Sequence, residues 1–413
     1  MASRAAAAVV LALALVCAAH SAAAAGNLSP DFYKKACPQL DQIVAFHVAE
    51  TFRRDVGVAP GLIRILFHDC FTQGCDASVL LNATDGEQKV GPNLTLRRVA
   101  LDLIERIRSA VHTACKDNKV SCADITVLAT REAVFKAGGP RFDVELGRRD
   151  ALAPAPAQIN KLPGPSFPVP LLIQSFKGRG LDVADLVALS GAHTFGVAHC
   201  SLFQDRFKPG FGNPPIDPKF ATMLKDKCAN DFDRKKTQSL DVRTPDAFDN
   251  QFYMDLVAKQ GLFRSDQGLI EDPATKALAA QFSLDQRAFF EQFAKSMTKM
   301  TNMDVLTGKQ GEIRNDCAVP NKRVTAHGDE EGHAADIALH AHGRAAPATE
   351  DGRWKRGTEG RRPKNSAAPA RVLGARPDRG SLDPSSEVEA DALIGAMGAG
   401  PGSAAVLPGT AGR

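Results

Sequence analysis

The sequence predicts an all-α fold, mainly α-helical, with about ten helices and no extended sheet. Apolar side chains recur at helical spacing in several stretches, for example over residues 40–52 and 100–114. Strand-like alternation is limited to short pieces such as residues 311–316. Eight cysteines lie between residues 37 and 317, which marks residues 26–321 as the folded domain.

The first 25 residues predict a secretory signal peptide. Arg4 precedes a nearly unbroken run of Ala, Val and Leu, and small residues lead to Gly26. The run is too short and too rich in alanine for a membrane span, and no other run reaches that length. We therefore expect a soluble, exported protein with four disulfides. Its eight remaining cysteines allow 105 pairings, and their count alone does not choose among them.

Residues 322–413 differ in composition from the rest of the chain. They contain no cysteine, phenylalanine or tyrosine and are rich in Ala, Gly, Pro, Arg and Glu. Such a segment buries too little apolar surface to offset its ordering entropy, so we expect a disordered, low-complexity C-terminal extension. We interpret it as an erroneous gene prediction or read-through product. The net charge of +4 is too small to indicate a nucleic-acid partner.

The helices are predicted in chain order from apolar periodicity and from capping or breaking residues. The first covers residues 40–52 and ends at Arg53, and the second starts at Pro60. Asp182 caps a helix that continues through His193. A Pro- and Gly-rich stretch over residues 141–170 predicts a long ordered loop of functional importance. Further helices are expected over residues 100–114, 122–136, 248–259, 273–282 and 285–302.

The densest group of chemically active side chains lies over residues 64–78. Arg64, Phe67 and His68 fall at i, i+3 and i+4, so a guanidinium, an aromatic ring and an imidazole share one helical face. For any one of these residues taken alone, the alternative is a purely structural role, such as a solvated Arg at a helix end or a His in the core. The whole group instead indicates an acid/base pair followed by a stapled loop with ligands for a hard cation. That loop contains Asp69, Cys70, Cys75, Asp76 and Ser78.

A second group surrounds His193. Small residues precede it (Ser190, Gly191 and Ala192), which we interpret as room for a flat, bulky group to approach the backbone. Oxygen ligands recur beside this histidine, as they do after His68, and this repetition suggests one Ca²⁺ site next to each histidine. The second set of ligands is Thr194, Asp241, Thr244 and Asp249.

These stretches resemble the plant secretory (class III) haem peroxidases, and the resemblance extends from about Leu28 to Asn321. It rests on the motifs FYxxxCP, RxxFHDCFxxGCDAS, VSCAD, GRRD, LPGP, SGAHTFG, DxRTPxxFDN and SDQ. It implies a haem b between a distal half with His68 and a proximal half with His193, plus two Ca²⁺ ions. It also implies one disulfide pairing: Cys37–Cys115, Cys70–Cys75, Cys122–Cys317 and Cys200–Cys228.

The resemblance further implies a role for each matching residue. His193 is expected to be the proximal iron ligand, with Asp266 accepting its other ring N–H. His68 is expected to act as general base and then general acid towards peroxide. Arg64 would stabilise developing negative charge. Asn93 would hold His68 as a neutral base, and Phe67 belongs to the haem pocket.

The resemblance also implies the Ca²⁺ ligands and a donor site. The distal ion would take the side chains of Asp69, Asp76 and Ser78 and the carbonyls of Thr72 and Gly74, with Glu87 linking Asn93 to that ion. The proximal ion would take Thr194, Asp241, Thr244 and Asp249 with the Ala247 carbonyl. Pro163, in LPGP, matches the family position that lines the site for phenolic donors.

The expected partners are hydrogen peroxide and small phenolic donors, and neither nucleic acid nor a membrane is expected to bind. We expect a monomer that is secreted to the cell wall, with the vacuole as the alternative location. Cell-wall cross-linking, oxidative stress response and peroxide catabolism are the roles that the family implies. Two alternatives are a wall-binding protein that has lost catalysis and an ascorbate-using intracellular relative. The intact site residues oppose the first, and the signal peptide and cysteines oppose the second.

Three positions depart from the family pattern: Phe142 replaces a common Trp, Phe195 a common Ile and Thr72 the usual Val. None removes a predicted catalytic group. Three N-glycosylation sequons occur, at Asn27, Asn82 and Asn93. We expect Asn82 to be modified, because it falls in a predicted exposed loop. We expect Asn93 to be unmodified, because its side chain is needed beside His68.

Overall fold

The computed structural model describes residues 28–115, 119–208, 212–231 and 235–321. The predicted signal peptide, the C-terminal extension and the sequon at Asn27 lie outside these residues. Within them, no helix combines the length and apolar character needed to cross a bilayer.

The described residues form a mainly α-helical fold, as predicted, with eleven α-helices and one two-stranded antiparallel sheet. The strands are β1 (Val197–His199) and β2 (Thr237–Ser239), with Ala198 opposite Gln238. The helices are α1 (Leu40–Arg54), α2 (Val58–Cys70), α3 (Arg98–Ala114), α4 (Cys122–Lys136), α5 (Val169–Lys177), α6 (Val183–Ser190), α7 (Pro218–Lys227), α8 (Gln251–Val257), α9 (Arg264–Glu271), α10 (Lys276–Leu284) and α11 (Gln286–Thr301).

The structure corrects two of the predicted helix boundaries. Helix α2 begins at Val58 rather than Pro60, because proline is tolerated within the first turn, where backbone N–H groups have no helical partner. Asp182 does cap α6, through a capping box with Asp185, but that helix ends at Ser190. His193 therefore lies on the 3₁₀ turn Gly191–Thr194 that follows, and not on the α-helix.

Three helices were not predicted from the sequence: α5, α7 and α9. Each has ten or fewer residues, so apolar periodicity has little room to appear. The predicted loop over residues 141–170 is largely present, and it includes the 3₁₀ helix Pro156–Lys161. Helix α9 matters most for function, because it carries Asp266.

The first four helices pack against one another, and α2 is enclosed by them. Every residue of α2 is buried, including Arg64 and His68. Helix α3 turns an apolar stripe inwards, while its other faces carry charged side chains. The consequence is that the polar groups of α2 are held away from bulk water, where burial changes their protonation.

Four disulfides link the described chain with the predicted pairing, which is confirmed: Cys37–Cys115, Cys70–Cys75, Cys122–Cys317 and Cys200–Cys228. Cys70–Cys75 closes a short loop directly after α2. Cys122–Cys317 ties the start of α4 to the end of the described chain, across 195 residues.

The later helices pack around an aromatic cluster centred on Phe248 and Phe289. Helix α6 lies against α11, and α8 lies against α10. The Phe248 ring lies 4.8 Å from that of Phe293 and stacks on that of Phe289 at 5.8 Å. Phe195, one of the departures from the family pattern, meets Phe248 edge-on at 5.3 Å. Phe142, another departure, is buried and so keeps an aromatic side chain in the core.

Candidate functional site

His68 lies in the last turn of α2 with one ring nitrogen engaged and the other available. Its Nδ1 lies 2.5 Å from Asn93 Oδ1, and an amide oxygen can only accept, so Nδ1 carries the proton. Its Nε2 is buried without a hydrogen-bond partner among the described residues. Burial, and next the charge of Arg64, lower the pKa of His68 to about 3. The ring is therefore neutral near pH 7, with Nε2 free to accept a proton.

Arg64 is anchored on the same segment that presents Asn93. Its Nη1 donates to Thr95 O at 2.8 Å, and its Nη2 donates to Pro92 O at 2.7 Å. Two backbone carbonyls thus fix the orientation of the guanidinium. Sequence reasoning missed Thr95, and its closeness to the predicted Asn93 was the only available signal. Phe67, one helical turn from Arg64, is buried and packs on Phe71 at 4.7 Å.

The loop after α2 gathers buried oxygen atoms. Ala77 N donates to Asp69 Oδ2 at 2.9 Å, and Ser78 N donates to Asp76 Oδ1 at 3.0 Å. Burial, and next the charge of Asp76, raise the pKa of Asp69 well above its usual range. Ser78 Oγ and Glu87 Oε2 are buried with no partner among the described residues. These oxygens match the donor set that a hard cation prefers.

Thr72, Gly74 and Glu87 surround this loop in different ways. The Thr72 hydroxyl donates to the carbonyls of His68 and Asp69 at 3.1 and 2.9 Å. Because the hydroxyl is used in this way, Thr72 would offer a cation only its backbone carbonyl, as the usual Val would. Gly74 has φ +141°, a conformation that favours glycine. Glu87 Oε1 accepts from Ala155 N at 2.7 Å, while burial raises the pKa of its carboxyl.

In His193, as in His68, one ring nitrogen has a hydrogen-bond partner and the other has none among the described residues. Its Nδ1 lies 2.8 Å from Asp266 Oδ1, and Asp266 Oδ2 accepts from Phe263 N at 3.2 Å. A carboxylate at Nδ1 fixes the proton there and leaves the lone pair on Nε2. That Nε2 is buried and has no hydrogen-bond partner among the described residues. The edges of Phe252 and Phe263 hold the ring plane, at 5.9 and 5.4 Å.

The second predicted group of oxygen ligands also comes together. Thr194 Oγ1 donates to Asp249 Oδ1 at 3.0 Å, and Thr244 Oγ1 lies 3.3 Å from the same oxygen. Thr244 Oγ1 is also 3.4 Å from Asp241 Oδ2. Burial raises the pKa of Asp241, and the charge of Asp249 adds to this. Ala247 lies in the same turn, with its N–H donating to Thr244 O at 3.0 Å.

Both groups mix carboxylates with hydroxyls. In the described part of the chain, no set of three or more His, Cys, Asp or Glu side chains is arranged to hold a metal ion. A cation in either place would therefore depend on hydroxyl and backbone oxygens in addition to carboxylates, which suits Ca²⁺ rather than a transition metal.

The interpretation of the small residues before His193 is wrong for Gly191. A Cβ at Gly191 would meet Tyr253 Oη and, at 2.5 Å, Phe289 Cε2. The glycine thus admits these two side chains of α8 and α11, and not a flat ligand. Pro163 is buried, in a loop whose Pro165 O accepts from Ser265 N at 2.9 Å. It lies beside the start of α9, and its role in donor binding stays a prediction.

A family model described as peroxidase matches residues 44–285, which is more than half of the chain. The matched range contains Arg64, His68, Asn93, His193 and Asp266. The class of protein follows from this match: it is a peroxidase, an oxidoreductase that acts on hydrogen peroxide.

The relatives narrow this class. The chain is 45% identical over 318 residues to Peroxidase 12 of Arabidopsis thaliana, covering 76% of this chain and 88% of that protein. It is 47% identical over 307 residues to Cationic peroxidase SPC4 of Sorghum bicolor, covering 73% and 84%. It is 41% identical over 320 residues to Peroxidase N of Armoracia rusticana, covering 76% and 95%. The chain belongs to the plant class III peroxidase family.

Proposed function

We propose that this peroxidase holds one haem b through His193 Nε2, binds two Ca²⁺ ions and oxidises small phenolic donors at the expense of hydrogen peroxide. One observation carries the proposal. Two buried histidines, His68 and His193, each have Nδ1 fixed by a side-chain oxygen and Nε2 left without a partner among the described residues. A buried imidazole nitrogen without a hydrogen bond is costly unless a ligand or substrate engages it.

The residues fit a haem of this kind. His193 would supply an imidazole nitrogen, Nε2, to the iron, and Asp266 would orient that donor by accepting a hydrogen bond from Nδ1–H. When bound, haem would supply the redox chemistry: it would give two electrons to hydrogen peroxide, which is reduced to water, and would regain them one at a time from two donor molecules.

His68 and Arg64 act on the peroxide itself. His68 Nε2 accepts the proton of the attacking peroxide oxygen and returns it to the oxygen that leaves as water. Asn93 keeps Nδ1 protonated, so the accepting nitrogen is always Nε2. Arg64, held by Pro92 and Thr95, presents positive charge to the oxygen on which negative charge develops.

Haem binding through His193 is the direct test of the proposal. We expect the purified protein to show a Soret band and to oxidise guaiacol in the presence of hydrogen peroxide. The His193→Ala variant should lose the wild-type Soret position and lose guaiacol oxidation. His112→Ala, at a half-buried histidine of α3, should keep both. A wild-type Soret band in His193→Ala would contradict the ligand assignment.

The two oxygen clusters are proposed to hold Ca²⁺. In the distal cluster, the ion would neutralise the buried carboxylates of Asp69 and Asp76 and engage Ser78 Oγ. Asp69 follows His68 directly in α2, so a cation there would also fix the position of the acid/base histidine. In the proximal cluster, Thr194 follows His193 directly, and the same coupling applies.

Removal of Ca²⁺ should lower both stability and activity. Without a cation, the buried oxygens of Asp69, Asp76 and Ser78 lose their common partner, and the loop between α2 and Ser78 should loosen. We expect prolonged chelation to lower the melting temperature and the rate of guaiacol oxidation, and we expect added Ca²⁺, but not Mg²⁺, to restore both. Metal content is measured in each sample. Full activity in a sample shown to be free of metal would contradict the coupling.

A secreted location, in the cell wall or alternatively the vacuole, is proposed from the predicted signal peptide, and glycosylation provides a test. Asn82 is exposed, whereas Asn93 is 2% exposed and bonded to His68. Glycopeptide mass spectrometry of protein from a plant secretory host should find a glycan on Asn82 and none on Asn93. A glycan on Asn93 in active enzyme would contradict its proposed role.

A further inference from the structure

Arg206 is a deeply buried arginine outside the groups assigned above. It lies on the 3₁₀ turn Gln204–Arg206 and keeps only 3% of its surface exposed. Its three guanidinium nitrogens donate to backbone carbonyls: Nε to Gly261 O at 3.1 Å, Nη1 to Pro214 O at 2.9 Å and Nη2 to Pro215 O at 3.1 Å. None of these three acceptors is a carboxylate. An arginine is rarely buried this deeply unless a charged group offsets it, so the carboxylates around it decide its role.

Three carboxylates act on the Arg206 guanidinium through space. Burial lowers the pKa of Arg206, and three negative charges oppose that shift, those of Asp205, Asp266 and Glu271. Arg206 nevertheless stays protonated, because the guanidinium is effectively always charged in proteins. Asp266 is the carboxylate that bears on catalysis, since its Oδ1 lies 2.8 Å from His193 Nδ1. The positive charge of Arg206 is therefore felt by the group that orients the proposed haem ligand.

A second connection between Arg206 and Asp266 runs through the backbone. Gly261, whose carbonyl accepts from Arg206, belongs to the loop that leads into α9. Gly261 N donates to Gln267 Oε1 at 3.1 Å, so both backbone polar groups of this residue are held. Two residues later, Phe263 N donates to Asp266 Oδ2 at 3.2 Å. Arg206 and Gln267 thus fix the loop that presents an N–H to Asp266.

The surroundings of this loop are apolar. Leu262 and Phe263 are fully buried and pack with Phe203 in a small core separate from the main one. The Phe263 ring also meets the His193 ring edge-on, with centroids 5.4 Å apart. Charges act more strongly on one another in such a region than in water, and salt screens them less.

We propose that Arg206, given haem ligation by His193, sets the redox potential of the haem by offsetting part of the negative charge of Asp266. A carboxylate hydrogen-bonded to the proximal imidazole favours ferric iron, which carries one positive charge more than ferrous iron. A cation close to that carboxylate counteracts the preference. Arg206 is a positioning residue in this scheme, because it acts through Asp266 and His193 and not on a substrate.

The test measures the ferric/ferrous midpoint potential of the holoenzyme by spectroelectrochemistry. Arg206→Gln removes the charge and should move the midpoint to a more negative potential, so that the ferric-to-ferrous ratio at a fixed applied potential rises at least about threefold. Arg206→Lys keeps the charge and should stay closer to the wild-type midpoint. Arg131→Gln, at a partly buried guanidinium of α4, is the control and should leave the midpoint unchanged.

A variant of opposite sign covers the case in which Arg206→Gln does not take up haem. Asp205 is half-buried, and its charge offsets that of Arg206. Asp205→Asn keeps the shape of the side chain but removes this negative charge, so the midpoint should move to a more positive potential. Asp226→Asn makes the same chemical change at an exposed position of α7 and should not move the midpoint.

The outcomes separate the role of Arg206 from the haem ligation on which it depends. A wild-type midpoint in haem-loaded Arg206→Gln, or equal shifts in Arg206→Gln and Arg206→Lys, would overturn the proposal. If Arg206→Gln binds no haem, a positive shift in Asp205→Asn supports the proposal and an unchanged midpoint overturns it. A wild-type protein without a Soret band would refute haem binding itself, whereas a normal Soret band with no shift in the variants contradicts only the role of Arg206.

Discussion

Replacing His68 with alanine should slow the reaction of the enzyme with hydrogen peroxide by about 10²–10⁴-fold, the usual contribution of a positioned acid/base group. The reason is the free Nε2. Burial and Arg64 lower the pKa of His68 to about 3, so the wild-type ring can accept a proton at any pH well above that value. Alanine removes the acceptor and the donor together. Stopped-flow mixing with hydrogen peroxide measures the rate.

The His68→Ala result needs a haem-loaded variant and a matched histidine control. The Soret band of His68→Ala should show that haem remains bound, since His193 is untouched. His47→Ala, at a half-buried histidine of α1, should react at the wild-type rate. The rate of Asn93→Ala should lie between those of His68→Ala and His47→Ala, because this change frees the Nδ1 proton of His68 without removing its Nε2. A normal rate in His68→Ala would refute the acid/base assignment.

Replacing Arg148 with methionine should destabilise the protein by about 3–5 kcal/mol, the usual cost of breaking a buried ion pair from one side. Asp124 and Arg148 are both fully buried, 2.8 Å apart. Arg148 also donates to Thr301 O from Nε and Nη2, at 2.9 and 2.7 Å, and to Asn302 Oδ1. Methionine fills much of the space but leaves the Asp124 carboxylate and the Thr301 carbonyl without this partner.

The free energy of unfolding is measured by urea denaturation of haem- and Ca²⁺-loaded protein. Arg98→Met is the control, since it removes an exposed i,i+4 pair with Asp102 whose side chains are 74% and 53% exposed. That control should leave stability nearly unchanged, because exposed pairs contribute little. If Arg148→Met were as stable as Arg98→Met, the buried cluster would not be a major source of stability.

Residues close together in the chain were the ones most readily assigned from the sequence. The face of α2 that carries Arg64, Phe67 and His68 follows from helical spacing alone, and burial of the whole helix agrees with it. The bounds of the long helices α1, α3 and α4 were predicted closely, because each contains many apolar positions that recur at helical spacing. The helices α5, α7 and α9, of eight to ten residues, were missed, whereas the similarly short α6, α8 and α10 were predicted, so short helices were assigned less consistently than long ones.

The site as a whole depends on contacts between residues far apart in the sequence. His193 and Asp266 are separated by 73 positions, and Asp124 and Arg148 by 24. No periodicity predicts such pairs, and the resemblance to a family supplied the first. The role of Gly191 was also not predictable from spacing. Its lack of a side chain makes room for Tyr253 and Phe289, and not for a ligand.

The sequence by itself determined the helical class, the disulfide-forming cysteines and the identities of the groups that bear chemistry, because these depend on local spacing and residue type. The tertiary structure decided which ring nitrogen of each histidine is free. It placed Asn93 Oδ1 on Nδ1 of His68 and Asp266 Oδ1 on Nδ1 of His193. It also buried both rings, and burial is what makes an unpartnered Nε2 costly to leave unused and keeps His68 neutral. Protonation and basicity are properties of an environment, and only the folded chain provides that environment.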